Sequence, residues 1–523
     1  MSTLTSKLER SLDRISDFSA SKPGFFLGLG AIFLYLLGAF YLHLAPDIDL
    51  FTRVASGRLT AILGTAPYAE PFTYLPHTAW FDHTWLASYL FYVVSQQGGD
   101  LGLFLLKCGF ALSTLALLGY AQEVAYGKEY RGLRLALLFM AAPDLAGIWV
   151  GTIRAQVVAY LCLTALMTAF LRIHQLKSYR WFTFVPLILF IWVNSHGSYV
   201  IGLGFLGIFT LASIIFERKT RDIPYIILVA LLSLTLPLLT PYRFEFIEFS
   251  LMQISSRPYE IVEWAAVVPW TLSGAYRYFL AALPVVGLII GGRRAIPWEG
   301  IAFIGAGIMW GLHHERLTPV MSISIACYGV PLVGTVWEYL RSRIPRVANF
   351  LRRGLVLGIL FMASWGTVMV ARTSHSPFAL DYSPYPVEAL DWLWNNYPGG
   401  KVFTHYNDGS FALWRLAPRF KISFDGRYDN VYPAETRAIG FAAYIPGHPR
   451  QGEALRNYPP DFVLIGRDLP GACHQPSQLR DSMFPNFRLV FTDETFCLLA
   501  KDGPATKSED PPKSARPIWR SDF

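Results

Sequence analysis

The sequence predicts a polytopic α-helical membrane protein with a small α/β domain at its carboxyl end. Of its 523 residues, 53% are hydrophobic and only 16% are charged, whereas about a quarter of the residues in a typical soluble domain are charged. Apolar runs of membrane length recur up to residue 372, and beyond it short apolar runs alternate with helix-like stretches. These observations exclude an ordinary soluble enzyme, and the many apolar residues exclude a disordered or fibrous chain.

The membrane region is predicted between residues 23 and 372. The segment before it, 1–22, is polar and amphipathic, and we expect it to lie in the cytoplasm. The first apolar run is too long for the hydrophobic part of a signal peptide, so it is interpreted as an uncleaved span. About eleven runs qualify as spans, several of them shorter than the ~20 residues that a bilayer requires. A further short run, 85–95, is interpreted as an interfacial or re-entrant helix on the outer side.

Basic residues set the predicted orientation. With a cytoplasmic amino terminus, Arg and Lys concentrate in the presumed inner segments, such as 341–353, and are sparse in the outer ones. This bias follows the positive-inside rule and explains the net charge of +8 without a nucleic-acid partner. An odd number of spans then places the α/β domain, 373–501, outside the cytoplasm. The first outer loop is 45–100, and the polar tail 502–523 is predicted to be disordered.

Cysteine spacing and nucleotide motifs exclude several kinds of site. The five cysteines include no CxxC pair, so a zinc or iron–sulfur site is not predicted. Cys473 and Cys497 both fall in the outer domain, where disulfides are permitted, and a bridge between them is left open. The chain has no GxxxxGK[ST] motif, no GxGxxG after a predicted strand and no GxSxG, which argues against a nucleotide-binding domain or a serine hydrolase.

Ionisable residues gather at the outer ends of the predicted spans. Asp47 and Asp49 follow the first span directly, and carboxylates beside hydrocarbon are costly unless they have a partner or a function. They are interpreted either as a general base with an ordering neighbour or as a helix cap that faces water. Arg154 and Arg316 suit bidentate binding of a phosphate, although Arg154 also suits snorkelling to the lipid headgroups.

Other polar residues on the same face are candidates for substrate binding. Asp82 and His83 suit acid–base work, but the flanking Trp80 and Trp85 also fit a simple interfacial anchor. His196 lies in a short turn, where it either binds substrate or hydrogen-bonds within the turn. The further candidates in this group are Asn194, Glu260 and Glu263.

No metal site is predicted. His313 and His314 are adjacent, whereas a zinc HExxH motif places its histidines four residues apart on one helical face. A divalent cation held by Asp47 and Asp49 is an alternative that we do not favour. Carboxylates and arginines at a lipid boundary instead suit a substrate with a phosphate and a lipid tail, since an ion path requires ionisable groups in mid-span.

These motifs resemble those of bacterial GT-C-type membrane glycosyltransferases and their uncharacterised relatives. The first loop reads Asp47-x-Asp49-x-Phe51 and then Trp80-x-x-His83-x-Trp85-Leu86. The later matches are Arg154-x-Gln156, Trp192-x-Asn194-x-His196-Gly197, Glu263-Trp264, Arg316, Tyr406-x-x-Gly409 and Asp425-Gly426-Arg427-Tyr428-Asp429. The chain departs from the group at two places: Phe51-Thr52-Arg53 stands where relatives often read Trp-Trp-His, and His83-Thr84-Trp85-Leu86 where they often read His-Glu-Trp-Leu.

The resemblance implies a GT-C-like fold and an activity. Such enzymes transfer a sugar from a polyprenyl-phosphate donor to an acceptor hydroxyl at the outer face of the bacterial inner membrane, with inversion at the anomeric carbon. By resemblance, Asp47 or Asp49 is the general base, and Arg154 and Arg316 hold the donor phosphate. Arg53 is interpreted either as a phosphate partner in place of the lost histidine or as a residue that faces water. The resemblance specifies neither the sugar, the acceptor nor any protein partner.

Two alternatives remain open at this stage. The departures in the first loop also fit a non-catalytic assembly subunit, or a lipid-linked sugar translocase, that has kept the fold. In the outer domain, Asp425 and Arg427 are either part of an acceptor-side wall or a tight turn whose charges satisfy local backbone groups. For these two residues we favour the tight turn.

Overall fold

The computed structural model describes residues 11–12, 17, 21–42, 45–149, 153–176, 179–216, 222–255, 264–291, 296–372, 380–466, 469–473 and 478–502. The chain divides into two compact units. We call the first, Met1–His43 with Phe104–Pro377, the helical unit, and the second, Leu44–Leu103 with Phe378–Phe523, the sheet unit. Residues 45–100, which the sequence predicts as the first outer loop, thus belong to the same unit as the carboxyl-terminal domain.

The helical unit consists of helices joined by short connections. Its described helices are α1 (Lys22–Leu42), α4 (Arg131–Trp149), α5 (Gln156–Leu176), α6 (Phe184–Ser195), α7 (Tyr199–Phe216), α8 (Ile223–Leu234), α9 (Arg243–Ser255), α10 (Leu272–Ile290), α11 (Trp298–His313), α12 (Thr318–Tyr328), α13 (Val330–Arg343) and α14 (Pro345–Arg372). Short 3₁₀ segments are Tyr179–Thr183, Leu236–Leu239 and Glu315–Leu317. Helix α3 (Trp85–Tyr126) begins in the sheet unit and continues into this one.

Six helices of the described residues are long and apolar enough to cross a membrane, and a seventh span results if the bent pair Glu315–Tyr328 and Val330–Arg343 is one span. The predicted polytopic helical class is confirmed, while the count of about eleven stays a prediction. Within α3, Gly99 has a φ of 54° and a ψ of −146° and breaks the helix, a conformation that glycine adopts readily. The short run 85–95 therefore forms the first segment of a two-part helix.

Glycines allow close approach between helices of the helical unit. A methyl group on Gly38 of α1 would lie only 2.7 Å from the α-carbon of Gly366 of α14. A methyl on Gly366 would lie 2.2 Å from the carbonyl oxygen of Leu34. Small residues at such a crossing let two backbones pack in contact, which is the usual device where lipid removes the hydrophobic driving force.

The sheet unit is built on a mixed five-stranded sheet within the described residues, in the order β2-β1-β3-β5-β4. Its strands are β1 (Gly400–Phe403), β2 (Phe420–Ile422), β3 (Phe462–Ile465), β4 (Phe487–Thr492) and β5 (Cys497–Lys501). Strands β2, β1 and β3 are parallel, and β5 is antiparallel to β3 and β4. The helices of the unit are α2 (Ile48–Leu63), α15 (Val387–Asn396), α16 (Tyr406–Leu416), α17 (Ala434–Ala442), α18 (Glu453–Asn457) and α19 (Gln478–Met483).

The first loop packs onto this sheet. Thr73 forms a parallel bridge with Ile422 of β2, and its hydroxyl donates to the carbonyls of Ile422 at 3.0 Å and Ser423 at 2.9 Å. The predicted small carboxyl-terminal α/β domain is confirmed, with the addition that the first loop lines its edge strand. Cys473 and Cys497 form a disulfide with an α-carbon separation of 5.5 Å, which settles the bridge that the sequence left open.

Candidate functional site

The aspartates after the first span lie at the start of helix α2. Asp47 is the N-cap: its backbone is extended, and its Oδ1 accepts a hydrogen bond from the backbone N–H of Asp49 at 3.0 Å. Asp49 lies in the first turn, where the helix dipole favours a negative charge. Both side chains are partly exposed. Asp47 therefore has the capping contact that the sequence offered as one interpretation, and the residue remains partly exposed.

Glycine 426 lies beside these aspartates. A methyl group on its α-carbon would lie 3.7 Å from Oδ1 of Asp49 and 3.5 Å from Cδ1 of Ile48. The N–H of Gly426 donates to the hydroxyl of Ser410 at 3.0 Å. The structure thus brings together two motifs, the Asp47–Asp49 pair and the Asp425–Arg427 turn, which are more than 370 positions apart in the sequence.

Tyr406, the first residue of α16, is a further member of this site. Its pKa is raised, first by burial and then by the negative charges of Asp49, Asp425 and Asp47 together with Tyr428. Its ring lies edge-on to that of Tyr428, with 6.0 Å between the ring centres. Tyr406 belongs to one of the sequence motifs but has no predicted role there, because nothing in the local pattern reveals the distant carboxylates.

A buried ion cluster, which we call the Arg427 cluster, lies behind Gly426. It consists of Arg427, Asp425, Glu70 and Tyr432. Oδ1 of Asp425 accepts from the Arg427 backbone N–H at 2.9 Å and from Nε at 2.8 Å. Oδ2 accepts from Nη2 of Arg427 and from the hydroxyl of Tyr432, both at 2.6 Å. Nη1 of Arg427 donates to Glu70, a residue 357 positions away that the sequence did not single out.

The Arg427 cluster is shielded from water. The side chains of Arg427, Asp425 and Glu70 are at most 1% exposed, and the guanidinium lies 4.7 Å above the ring of Trp80. Burial alone would raise the pKa of Asp425, but the charge and hydrogen bonds of Arg427 and the bond from Tyr432 outweigh it, so the pKa is lowered. The favoured tight turn is therefore present, and Arg427 also ties it to the first loop.

Asp82 is the centre of a second buried cluster, with Arg53, Ser56 and Thr84. Its Oδ1 accepts from Nη1 of Arg53 at 2.9 Å and from the hydroxyl of Thr84 at 2.7 Å, and its Oδ2 accepts from Ser56. Burial opposes ionisation, but the Arg53 charge and these hydrogen bonds lower the pKa of Asp82. Arg53 also contacts the Thr84 hydroxyl. Arg53 and Thr84, one residue from each of the two places at which the chain departs from the motif resemblance, are thus in direct contact.

Of the remaining candidates that the structure describes, His83 lies in the first loop of the sheet unit, where it is partly exposed and its backbone N–H donates to the carbonyl of Phe81 at 2.9 Å. The others belong to the helical unit. Arg154 is half-buried just before α5, and Tyr160 of α5 donates to the carbonyl of Arg316 at 3.3 Å. Tyr160 therefore brings the segment that carries Arg316 against α5, the helix that begins two residues after Arg154. The Arg316 guanidinium lies 5.7 Å from the ring centre of Trp264. Glu260 and Glu263 lie outside the described residues.

Asn194 and His196 are held by local hydrogen bonds, and Asn194 lies in the last turn of α6 rather than in a loop. Asn194 is fully buried and donates to the carbonyl of Phe190 at 2.9 Å. His196 ends α6 and its Nδ1 lies 2.8 Å from the hydroxyl of Ser198. The hydrogen-bonded turn that the sequence offered for His196 is therefore present, and His196 remains partly exposed.

Sequence reasoning missed an ion network inside the helical unit. Nε of Arg277 in α10 donates to Asp144 of α4 at 2.8 Å, and Nη1 donates to Glu315 at 2.6 Å. Ser322 of α12 donates to the same Asp144 at 2.7 Å. Asp144 interrupts an apolar run, which was the available signal, since ionisable groups in such helices rarely lack a partner. The network therefore fixes Glu315, which directly precedes Arg316.

Within the part of the chain that the structure describes, no three His, Cys, Asp or Glu side chains are grouped to hold a metal ion. The candidate site therefore consists of carboxylates, a tyrosine and arginines. Within the sheet unit, its charged residues divide into two buried clusters, around Asp82 and Arg427, and the partly exposed pair Asp47 and Asp49.

Comparison with known proteins adds a structural relative. Neither a protein-family model nor a curated protein matches the sequence. The fold is similar to that of the crystal structure of ArnT from Cupriavidus metallidurans bound to undecaprenyl phosphate, with a TM-score of 0.51 and 12% sequence identity over 92% of this chain and 98% of that chain. ArnT is a GT-C glycosyltransferase. The chain therefore has the GT-C-type membrane glycosyltransferase fold that the motif resemblance predicts.

Proposed function

We propose that this chain transfers a sugar from a polyprenyl-phosphate donor to an acceptor hydroxyl at the outer face of the bacterial inner membrane. The observation that carries the proposal is the fold shared with ArnT, whose crystal structure is bound to undecaprenyl phosphate, over nearly the whole length of both chains. In this proposal the amino terminus is cytoplasmic and the sheet unit is extracytoplasmic. The positive-inside distribution of Arg and Lys supports that orientation.

The proposed chemistry assigns the proton to a first-loop aspartate. As the acceptor oxygen bonds to the anomeric carbon, Asp47 or Asp49 takes the hydroxyl proton. The bond from the anomeric carbon to the phosphate oxygen breaks on the opposite side, with inversion. The polyprenyl phosphate leaves as a stable anion, so no general acid is required. Support comes from the partial exposure of both carboxylates at the start of α2.

Arginines are proposed to offset the negative charge that develops on the donor phosphate. Arg154 and Arg316 suit this role because guanidinium groups bind phosphate oxygens bidentately, and their segments are neighbours. Arg53 contributes less, because its charge is already balanced by Asp82. Among the substrate-binding candidates, the partly exposed His83 and His196 are placed in contact with substrate. Buried Asp82 and Asn194 hold the surrounding backbone instead.

The Arg53–Thr84 contact bears on the alternative of a non-catalytic subunit or a translocase. In this chain the departures leave neither Arg53 nor Thr84 without a partner. Arg53 and Thr84 share Asp82 as a common partner. The pair therefore helps to hold the loop on α2, an ordered arrangement that the proposed enzyme requires.

The proposal is tested by comparing cell-envelope glycans and lipids by mass spectrometry in cells with and without this protein. We expect one glycan or lipid to lose a sugar mass when the protein is absent. Addition of undecaprenyl phosphate to isolated membranes tests the donor class, because it is the released product and we expect it to inhibit transfer. Unchanged envelope components, with the protein verified in the control membranes, would contradict the proposal.

A further inference from the structure

In the Arg427 cluster, the two carboxylates are hydrogen-bonded to Arg427, to Tyr432 and to nearby backbone N–H groups. Asp425 accepts four hydrogen bonds, three from Arg427 and one from Tyr432. Oε1 of Glu70 accepts from the backbone N–H groups of Phe72 at 2.8 Å and Thr73 at 3.0 Å, while its Oε2 pairs with Arg427. A buried network with its members paired in this way resists distortion, because any shift leaves a charge without compensation.

The backbone that follows Arg427 is held in an unfavourable conformation. Tyr428 has a φ of 45°, in the left-handed region that residues with a side chain rarely adopt. Such a conformation persists only where the surroundings determine it. Arg427 on one side, and the contact of the Tyr428 ring with Tyr406 on the other, supply that constraint.

The constrained turn meets the proposed base. Gly426 lies between the two charged residues of the turn, and a methyl group at this position would come within van der Waals distance of Ile48 and of Oδ1 of Asp49. The turn therefore forms one wall of the space around the Asp49 carboxylate. Tyr406, whose pKa is raised by burial and by Asp49, stands at the same wall.

We propose that Arg427 is a positioning residue for sugar transfer: anchored by Asp425 and Glu70, it holds Gly426 against the first turn of α2 and so fixes where Asp49 presents its carboxylate to the acceptor hydroxyl. This inference rests on the proposed function and extends it to a buried residue that touches no substrate. Misplacement of a reacting group by about 1 Å costs roughly 100-fold in rate. The position of the turn therefore affects the transfer rate as well as the stability of the fold.

Two substitutions test this without removing the arginine. Glu70→Gln leaves one balanced pair, Arg427 with Asp425, and keeps the shape of the side chain. Gly426→Ala adds a methyl group beside Asp49, and the one contact below 3 Å is with the hydroxyl of Ser410, which can rotate. The matched control is Glu435→Gln, in a surface cluster of Arg450, Glu435 and Glu453 with the same charges. Asp49→Asn is the reference for lost catalysis.

The measurements are the amount of folded protein in detergent, the transfer rate in membranes and the inhibition constant of undecaprenyl phosphate. We expect Glu70→Gln to lower the rate at least tenfold and Gly426→Ala about 100-fold. The inhibition constant should stay within twofold of wild type, because donor-lipid binding does not involve this turn. Glu435→Gln should match wild type in all three measurements.

The outcomes separate this inference from the proposed function. If Asp49→Asn, Asp47→Asn and the double variant all keep the full rate, the proposed function itself fails. If only Asp47→Asn loses activity, the proposed function stands and the positioning of Asp49 is wrong. If Asp49→Asn loses activity while Glu70→Gln and Gly426→Ala fold and transfer at the wild-type rate, the positioning role is wrong and the proposed function stands. Loss of folded protein in both variants, or a loss of rate that follows the amount of folded protein, would assign the cluster to folding alone.

Discussion

Two ion clusters in the sheet unit have the same charges in different surroundings. The Arg427 cluster combines one arginine with Asp425 and Glu70, and all three side chains are buried. The Arg450 cluster combines one arginine with Glu435 and Glu453, and these side chains are 30–71% exposed. The buried cluster joins segments 357 positions apart, whereas the surface cluster is local. The charges of a cluster alone therefore do not indicate its role. Its burial and the sequence separation of the segments that it joins are better indicators.

The largest difference is expected on loss of the arginine. Arg427→Ala leaves two buried carboxylates without their cation, which costs about 3–5 kcal/mol of stability. Arg450→Ala removes a solvent-screened arginine and is expected to leave unfolding unchanged. Thermal unfolding in detergent, followed by size-exclusion chromatography of the surviving protein, measures both. Equal shifts in the two variants would break the comparison.

The second buried cluster, around Asp82, tests whether burial is the general cause of the larger loss of stability. Asp82→Asn removes the charge that balances Arg53 while leaving the loop otherwise intact, and we expect a loss of about 1–3 kcal/mol. The same unfolding assay applies, with Glu494→Gln on the exposed β4–β5 turn as the isosteric control. Destabilisation no greater than that of the control would show that burial of Asp82 carries little energy.

A double-mutant cycle sharpens the comparison further. Residues in one buried network are expected to show a coupling energy of about 0.5–3 kcal/mol, so Glu70→Ala and Arg427→Ala should be clearly non-additive. Glu435→Ala and Arg450→Ala should be additive within error. Additivity in the buried pair, measured from the unfolding of both single variants and the double variant, would contradict the contact between Glu70 and Arg427.

The smallest effect concerns pH. The folded chain lowers the pKa of Asp82 and Asp425, whereas an unfolded aspartate titrates near about 3.9. Their stabilisation is therefore fully present above that pH and is lost as the pH falls toward the lowered values. We expect the unfolding temperature of Asp425→Asn to fall less steeply than that of wild type between about pH 5 and pH 3. Parallel curves would contradict the lowered pKa.

The fold class was predictable from the sequence because hydropathy and the placement of Arg and Lys are local signals. The span count stays a prediction, since short apolar runs form helices whether or not they cross a bilayer. The Cys473–Cys497 pair was only a candidate until the fold placed the two α-carbons 5.5 Å apart. The first loop pairs with β2 through Thr73, across about 350 positions of the sequence. The periodicity of the sequence carries no information about such distant pairs.

The candidate site was predictable in its residue types and less so in its contacts. The pattern at Asp47 predicted both a base and a cap, and the cap is present without burying the carboxylate. Glu70 gave no signal, because its partner Arg427 is close only in the folded chain. Arg277 was missed for the same reason, although Asp144 in an apolar run was a local indication of a buried partner.

The central claim is that a first-loop carboxylate takes the acceptor proton during sugar transfer. Its most direct test is the quantity of the transferred product, identified by mass spectrometry, in cells that carry Asp47→Asn, Asp49→Asn, the double variant or the control Glu494→Gln at equal levels of folded protein. The account predicts product at the wild-type level for the control and none for the double variant. Wild-type product from the double variant would contradict it.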